Sequence, residues 1–296
     1  MNILITGARG QLGAELTALL EGGVSPLGGI PGSLRECRVI AADADMLDIT
    51  DQAAVRRFID KRRPRLVVNC AAKTNVDRCE TEADEAMRVN ALGPRYLAEA
   101  CADTGAELVQ VSTDYVFPGD ASAPYAEWDV CGPTSMYGKS KLLGEQYVRE
   151  SGCRCYIVRT AWLYGRTGRN FVRTVLRVAR ERGALQVVND QRGSPTNAAD
   201  LAWHILRIAD SAQYGVYHVT GGGECSWYEF ACEIVRLSGL SCTVTPCTSD
   251  EYPSPVKRPA YSALEHRMLR CTVGDRMRPW QEALADFMVQ IAGETP

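Results

Sequence analysis

The stretch "NILITGARGQLGAEL", residues 2–16, decides the architecture. An apolar, β-branched run passes directly into Gly7, Gly10 and Gly13 and then into an amphipathic segment, so it reads as strand, tight turn and helix. In that setting each glycine has a task. A turn without side chains lets a pyrophosphate approach the backbone, the helix N-terminus offers N–H groups and partial positive charge, and a small residue on the first helical turn lets the helix pack closely. The spacing is G-x-x-G-x-x-G, and it reads as a dinucleotide-binding loop opening a βαβ unit; the alternative is an ordinary strand-to-helix turn.

Outward from this unit, the runs "CRVIAA", "LVVNCAA", "ELVQVS" and "CYIVRT" repeat the strand character, with helical patterns between them. Such alternation predicts an α/β fold: a Rossmann-like, doubly wound parallel sheet covered by helices on both faces. Thr50 is the expected N-cap of a helix over "DQAAVRRFIDKRRP", and Thr196 that of a helix in "SPTNAADLAWHIL". Beyond about residue 160 the alternation weakens into helices near 170–182, 197–209, 226–238 and 279–292, short strands and turns such as "YPSPVKRP". Residues 1–160 therefore read as a dinucleotide-binding core and 161–296 as a smaller, mixed substrate-binding lobe, with some elements returning to the core. Residues 22–34, "GGVSPLGGIPGSL", are expected to form a surface excursion.

Composition narrows the function classes. With 33 Lys+Arg against 36 Asp+Glu there is no general electrostatic reason to bind nucleic acid or an anionic membrane, so a small-molecule protein is expected. The twelve cysteines are scattered without a C-x-x-C pair and are expected to be reduced thiols; Cys153 and Cys155 share a strand face as packing. The opening "MNILITG" has no basic leader, and no run approaches transmembrane length, so a cytoplasmic protein is expected. His204, His218 and His266 lack metal-ligand spacing and are assigned no chemistry; no metal ligand is named, and a bound divalent metal stays open.

Two residues give opposed signals on the cofactor. Asp43, at the end of the second strand, suits an adenosine ribose and disfavours a 2′-phosphate, whereas Arg9 in the glycine loop attracts one; NADPH and NADH both stay open. Asp48 reads equally as a partner of the adenine amino group or as a loop residue. Ala71 and Ala72 are small residues at a strand end, where ligands gather in such sheets.

The stretch "SMYGKSKLLGE", residues 135–145, supplies the chemistry. Tyr137 and Lys141 are one helical turn apart on one face, with Thr134 or Ser135 as cap. A free phenol titrates near 10. An ammonium about 4 Å away contributes roughly 4 kcal/mol at an effective dielectric of about 20, enough to make the phenol a usable general acid. A strand ending in Ser112 and Thr113 precedes it, and a hydroxyl there can hold the substrate oxygen that Tyr137 protonates.

With the blocks "GARGQLG", "NCAAKTNVDRCE", "VSTDYVFPG", "YGKSKLLGE", "RTAWLYG", "NFVRTVLRVA", "DQRGSPT" and "SPVKRPAYSAL" in order along nearly the whole chain, the sequence resembles the extended short-chain dehydrogenase/reductase family. The resemblance implies catalysis by Thr113, Tyr137 and Lys141, and cofactor contacts at Gly7, Gly10, Gln11, Leu12, Asp43, Ala71, Ala72, Tyr137 and Lys141. It places Asp114, Tyr115 and Trp162 in a sugar pocket, although a core role for the indole of Trp162 is equally open. The implied activity is NAD(P)H-dependent reduction of dTDP-4-dehydro-L-rhamnose at C4 to dTDP-L-rhamnose, a precursor for cell-surface polysaccharide. Arg192, Lys257 and Arg258 are candidates for the nucleotide diphosphate or else solvated charges.

Related activities are separable in part. A 4,6-dehydratase of the same fold carries Asp and Glu after the threonine, where this chain reads "STDYVF", so reduction is favoured over elimination. A 4-epimerase is disfavoured by the blocks above. The alternative from another class is a noncatalytic NAD(P)-binding subunit resembling the regulatory β subunit of methionine adenosyltransferase; a homodimer stays open.

Overall fold

Six parallel strands form the central sheet of the computed structural model, which describes residues 1–22, 24–252 and 254–293. From one edge they run Arg38–Ala42, Asn2–Thr6, Leu66–Asn69, Glu107–Thr113, Arg154–Thr160 and Gly215–His218. Alternation along each strand explains the two layers of helices. Ile3 and Ile5 face one core with Leu16, Leu19, Leu201 and Leu206, whereas Leu4 faces the other with Val55, Ile59, Leu97 and Val148. Helices Gln11–Gly22 and Ala198–Asp210 thus cover one face, and Gln52–Arg62, Gly93–Thr104 and Met136–Glu150 the other.

A separate core in the second half joins Val172, Leu176, Phe230, Ile234, Leu284 and Phe287 from helices Phe171–Arg182, Trp227–Ser238 and Trp280–Ala292. The strand Gly215–His218 leaves this half to complete the main sheet beside Arg154–Thr160.

Several local expectations shift by one residue. Asp51, not Thr50, caps its helix by accepting from the Ala54 N–H, because Thr50 spends its hydroxyl on Asp48 at 2.8 Å. Asn197, not Thr196, caps Ala198–Asp210, while Thr196 accepts from the Gly221 N–H. The segment 22–34 is not purely a surface excursion. Leu27, Ile30 and Leu34 are buried in the first core, and the Trp203 indole donates to the Gly29 carbonyl at 3.2 Å. Its spaced apolar residues give the segment an underside that packs; Gly23 within it, like Pro253 in "YPSPVKRP", lies outside the described residues. All twelve cysteines are free thiols. Among the described residues no helix is long and apolar enough to cross a membrane.

Candidate active site

The first turn is built by contact, not only by flexibility. Gly7 has φ +64°, and a Cβ there would come within 2.7 Å of the Ala71 nitrogen, so two strand ends meet across a position that admits no side chain. A Cβ on Gly13 would likewise sit 2.7 Å from the Ala8 Cα. Helix Gln11–Gly22 therefore starts hard against the turn, its first N–H groups directed at a cleft of about 760 Å³. The cleft opens where strand order reverses between Asn2–Thr6 and Leu66–Asn69, the switch point at which open α/β sheets bind ligands.

Gly7, Gly10, Gln11, Leu12, Asp43, Asp48, Ala71, Ala72, Tyr137 and Lys141 line this cleft, and Arg9 lines a recess that shares Asp43 with it. The two opposed signals turn out to be partners. The Arg9 backbone N–H and Nε donate to Asp43, Nε at 2.9 Å, and the far guanidinium nitrogen reaches Asp45. Asp48 serves its loop as well as the lining, accepting from the Thr50 N–H at 2.9 Å.

Tyr137 and Lys141 ride on helix Met136–Glu150, which Ser135 caps by accepting from the Gly138 N–H at 3.1 Å. Gly138 lets the helix approach closely, since a Cβ there would collide with the Tyr115 carbonyl. Thr113, at the end of its strand, donates to Asp114 Oδ1 at 2.9 Å. The direct phenol–ammonium contact expected from spacing is replaced by another arrangement. Lys141 Nζ donates to the Val111 carbonyl at 2.6 Å, and burial lowers its amine to about 8, opposed by Glu145 one turn on. Burial pushes the Tyr137 phenol up, opposed by the Thr113 hydroxyl, so its ordinary state in the cleft is protonated.

Asp114, Tyr115 and Trp162 line the same cleft. Asp114 is buried and held up at about 6 by desolvation, against hydrogen bonds from Ser262 and Thr113; its Oδ2 has no hydrogen-bond partner. The Tyr115 and Tyr137 rings meet edge to face at 5.4 Å. Of the cations considered for a diphosphate, Arg192 pairs with Glu224 and Glu229, and Arg258 with Asp77 at 2.6 Å. Lys257 is exposed, and none of the three lines the cleft.

Sequence reading missed two residues. Trp227 lines the cleft from the start of its helix, and nothing in "CSWYEF" marks it. Asn90 sits buried in a π-helical turn, Arg88–Leu92, and ties the Lys73 backbone to Ser140 on the Tyr137 helix. A π turn is a recurrent mark of functional sites, but it leaves no sequence signal. Among the described residues no His/Cys/Asp/Glu group could hold a metal ion.

A glycine turn at the switch point, facing a tyrosine and a lysine one helical turn apart, defines a Rossmann-like protein of the extended short-chain dehydrogenase/reductase class. Comparison with known proteins narrows this. The chain belongs to the family described as RmlD substrate binding domain, which matches residues 1–292. It is 43% identical over 286 residues to the spore coat polysaccharide biosynthesis protein SpsK of Bacillus subtilis, covering 97% of this chain and 96% of that one. A dTDP-4-dehydrorhamnose reductase structure from Clostridium acetobutylicum superimposes with TM-score 0.93 at 47% identity, covering 99% and 100%. That of the Bacillus anthracis dTDP-4-dehydrorhamnose reductase in complex with NADP gives 0.91 at 40%, covering 98% and 99%.

Proposed function

We propose that the chain reduces the C4 ketone of dTDP-4-dehydro-L-rhamnose to give dTDP-L-rhamnose, with NADPH or NADH as the reductant. The observation that carries the reading is the convergence of Thr113, Tyr137 and Lys141 on the cleft that begins at the glycine turn. That turn fits a dinucleotide, since Gly7, Gly10, Gln11 and Leu12 line the cleft where a helix begins, and a helix N-terminus suits a pyrophosphate. Gly7, Gly10, Gln11 and Leu12 would hold the pyrophosphate, Asp43 the adenosine ribose, Asp48 the adenine end, and Ala71, Ala72, Tyr137 and Lys141 the nicotinamide end. The reduced nicotinamide, when bound, supplies the hydride.

The remaining work falls to side chains of this chain. Tyr137, kept protonated by burial, gives its proton to the developing C4 alkoxide. Lys141 at about 8 remains an ammonium at neutral pH and stabilises the tyrosinate left behind. Thr113 would turn its hydroxyl from Asp114 Oδ1, to which it donates at 2.9 Å, to donate to and orient the carbonyl. Asp114, Tyr115 and Trp162 form the sugar pocket. The reading carries a cytoplasmic enzyme, with a homodimer as its candidate assembly.

The test follows NADH and NADPH oxidation separately on adding dTDP-4-dehydro-L-rhamnose to purified protein, with Tyr137→Phe as control. Substrate-dependent oxidation abolished in the variant supports the reading. No oxidation by folded, cofactor-binding protein overturns it in favour of a binding subunit.

A further inference from the structure

Trp162 has an unusual backbone, with φ +47°, a region that a bulky side chain rarely enters. Three neighbours hold it there. Its carbonyl accepts from the Thr196 N–H at 3.2 Å. Its indole lies flat on that of Trp227, with ring centroids 3.5 Å apart and planes 6° from parallel. Gly193 packs against the same ring so closely that a Cβ there would lie 2.7 Å from its Cε2 and Nε1.

Gly193 and Trp227 reach Trp162 through one small element. Arg192–Gly193 pairs antiparallel with Cys225–Ser226, and Ser226 caps the helix that begins at Trp227 through a reciprocal capping box with Glu229. Phe171 backs Trp227 at 4.5 Å. Both indoles line the cleft that holds Thr113 and Tyr137. The block "DQRGSPT" thus has a physical task that no charge in it explains.

We propose that Trp227 and Gly193 are positioning residues for nucleotide-sugar recognition: together they clamp the Trp162 indole in its left-handed conformation, so that it presents a preformed aromatic wall to the sugar. The proposal rests on the reductase reading above. Pre-organisation of this kind reduces the ordering cost of binding, and its loss falls on the sugar while the dinucleotide end of the cleft keeps its own contacts.

The experiment compares the parent with Trp227→Ala, Trp227→Phe and Gly193→Ala. It measures dTDP-L-rhamnose and NADPH affinities by calorimetry, KM and kcat for the 4-keto sugar, and the far-ultraviolet exciton couplet of stacked indoles by circular dichroism. Trp227→Ala is expected to lose the couplet and weaken dTDP-L-rhamnose binding and KM by about tenfold or more, with NADPH affinity kept within about twofold. Trp227→Phe, which keeps a stacking face, recovers most of the sugar affinity, and Gly193→Ala, whose Cβ would press on the Trp162 ring, repeats the loss with both indoles retained. Unchanged sugar affinity in Trp227→Ala despite loss of the couplet overturns the proposal, and so does an equal loss of sugar and NADPH binding. Failure of the reductase reading looks different, because the unmodified protein then neither turns over the keto sugar nor binds dTDP-L-rhamnose.

Discussion

Arg9 and Asp43 form an ion pair at the lip of the dinucleotide cleft, with Nε to Oδ2 at 2.9 Å and a second tie from the Arg9 backbone N–H. Arg9 is 71% exposed, so the pair is held weakly and its guanidinium can leave for a better anion. A 2′-phosphate is such an anion, whereas a ribose hydroxyl leaves the pair intact and hydrogen-bonds to Asp43. The unmodified protein is therefore expected to accept both NADPH and NADH. Arg9→Ala should lower kcat/KM for NADPH relative to NADH by about tenfold, the effect of losing one charge-assisted contact. Asp43→Asn should move the ratio the opposite way; ratios of kcat/KM that stay put in both variants would remove the pair from cofactor choice.

Tyr137 is the only proton donor that the proposed mechanism assigns to the alkoxide. Tyr137→Phe should reduce kcat by about 10²–10⁴-fold while NADPH affinity is preserved. Lys141→Met should lose both, because its ammonium is anchored at Val111 in the part of the cleft proposed above to take the nicotinamide. Calorimetric NADPH binding beside steady-state turnover separates the two; retention of turnover in Tyr137→Phe would transfer the proton to another group.

Asp114 makes stability depend on pH with a definite sign. Its folded-state value is raised from 3.8 to about 6, so its favourable contribution is complete below about 4 and is lost as pH rises through about 6. A shift of about two units corresponds to about 3 kcal/mol, and the unpartnered Oδ2 is its structural counterpart. Urea unfolding at pH 4 and pH 7 should show Asp114→Asn gaining stability relative to the parent across that interval. Parallel pH profiles for the two proteins would contradict the assignment. The same variant should be impaired in turnover, since Asp114 holds the Thr113 hydroxyl before it turns to the carbonyl.

Behind the site, Glu145 and Arg159 form a fully buried pair, 2.7 Å at its closest, and Ser112 donates to the same carboxylate at 2.5 Å. Removing one partner strands the other charge, so Glu145→Ala should destabilise the fold by about 3–5 kcal/mol in chemical denaturation. The double variant Glu145→Leu with Arg159→Met, which strands neither charge, should cost much less. Equal losses in the two variants would argue against a charge-driven effect.

Much of the architecture is legible in one dimension because it depends on periodicity and local contact. Alternation in the strand runs, the glycines from Gly7 to Gly13 and the helical spacing of Tyr137 and Lys141 are local patterns, and each maps onto the sheet, the turn and the helix that line one cleft. Caps were legible only to within a residue, because Thr50 and Thr196 had other partners available once the chain folded.

Legible in one dimension, then, are the kind of fold and many, not all, of the side chains that line the cleft, Trp227 being missed. Tertiary structure alone decided how they are engaged. Arg9 and Asp43, 34 residues apart, are partners and not rivals. Lys141 bonds to a carbonyl 30 residues away instead of its helical neighbour, and Arg258 is taken by Asp77 across 181 positions. Trp227 stacks directly on Trp162, a contact between distant segments beside the Arg192–Gly193 and Cys225–Ser226 strand pair. Burial and pairing between distant segments set the charge, protonation and orientation of each group, and neither quantity is a function of local spacing.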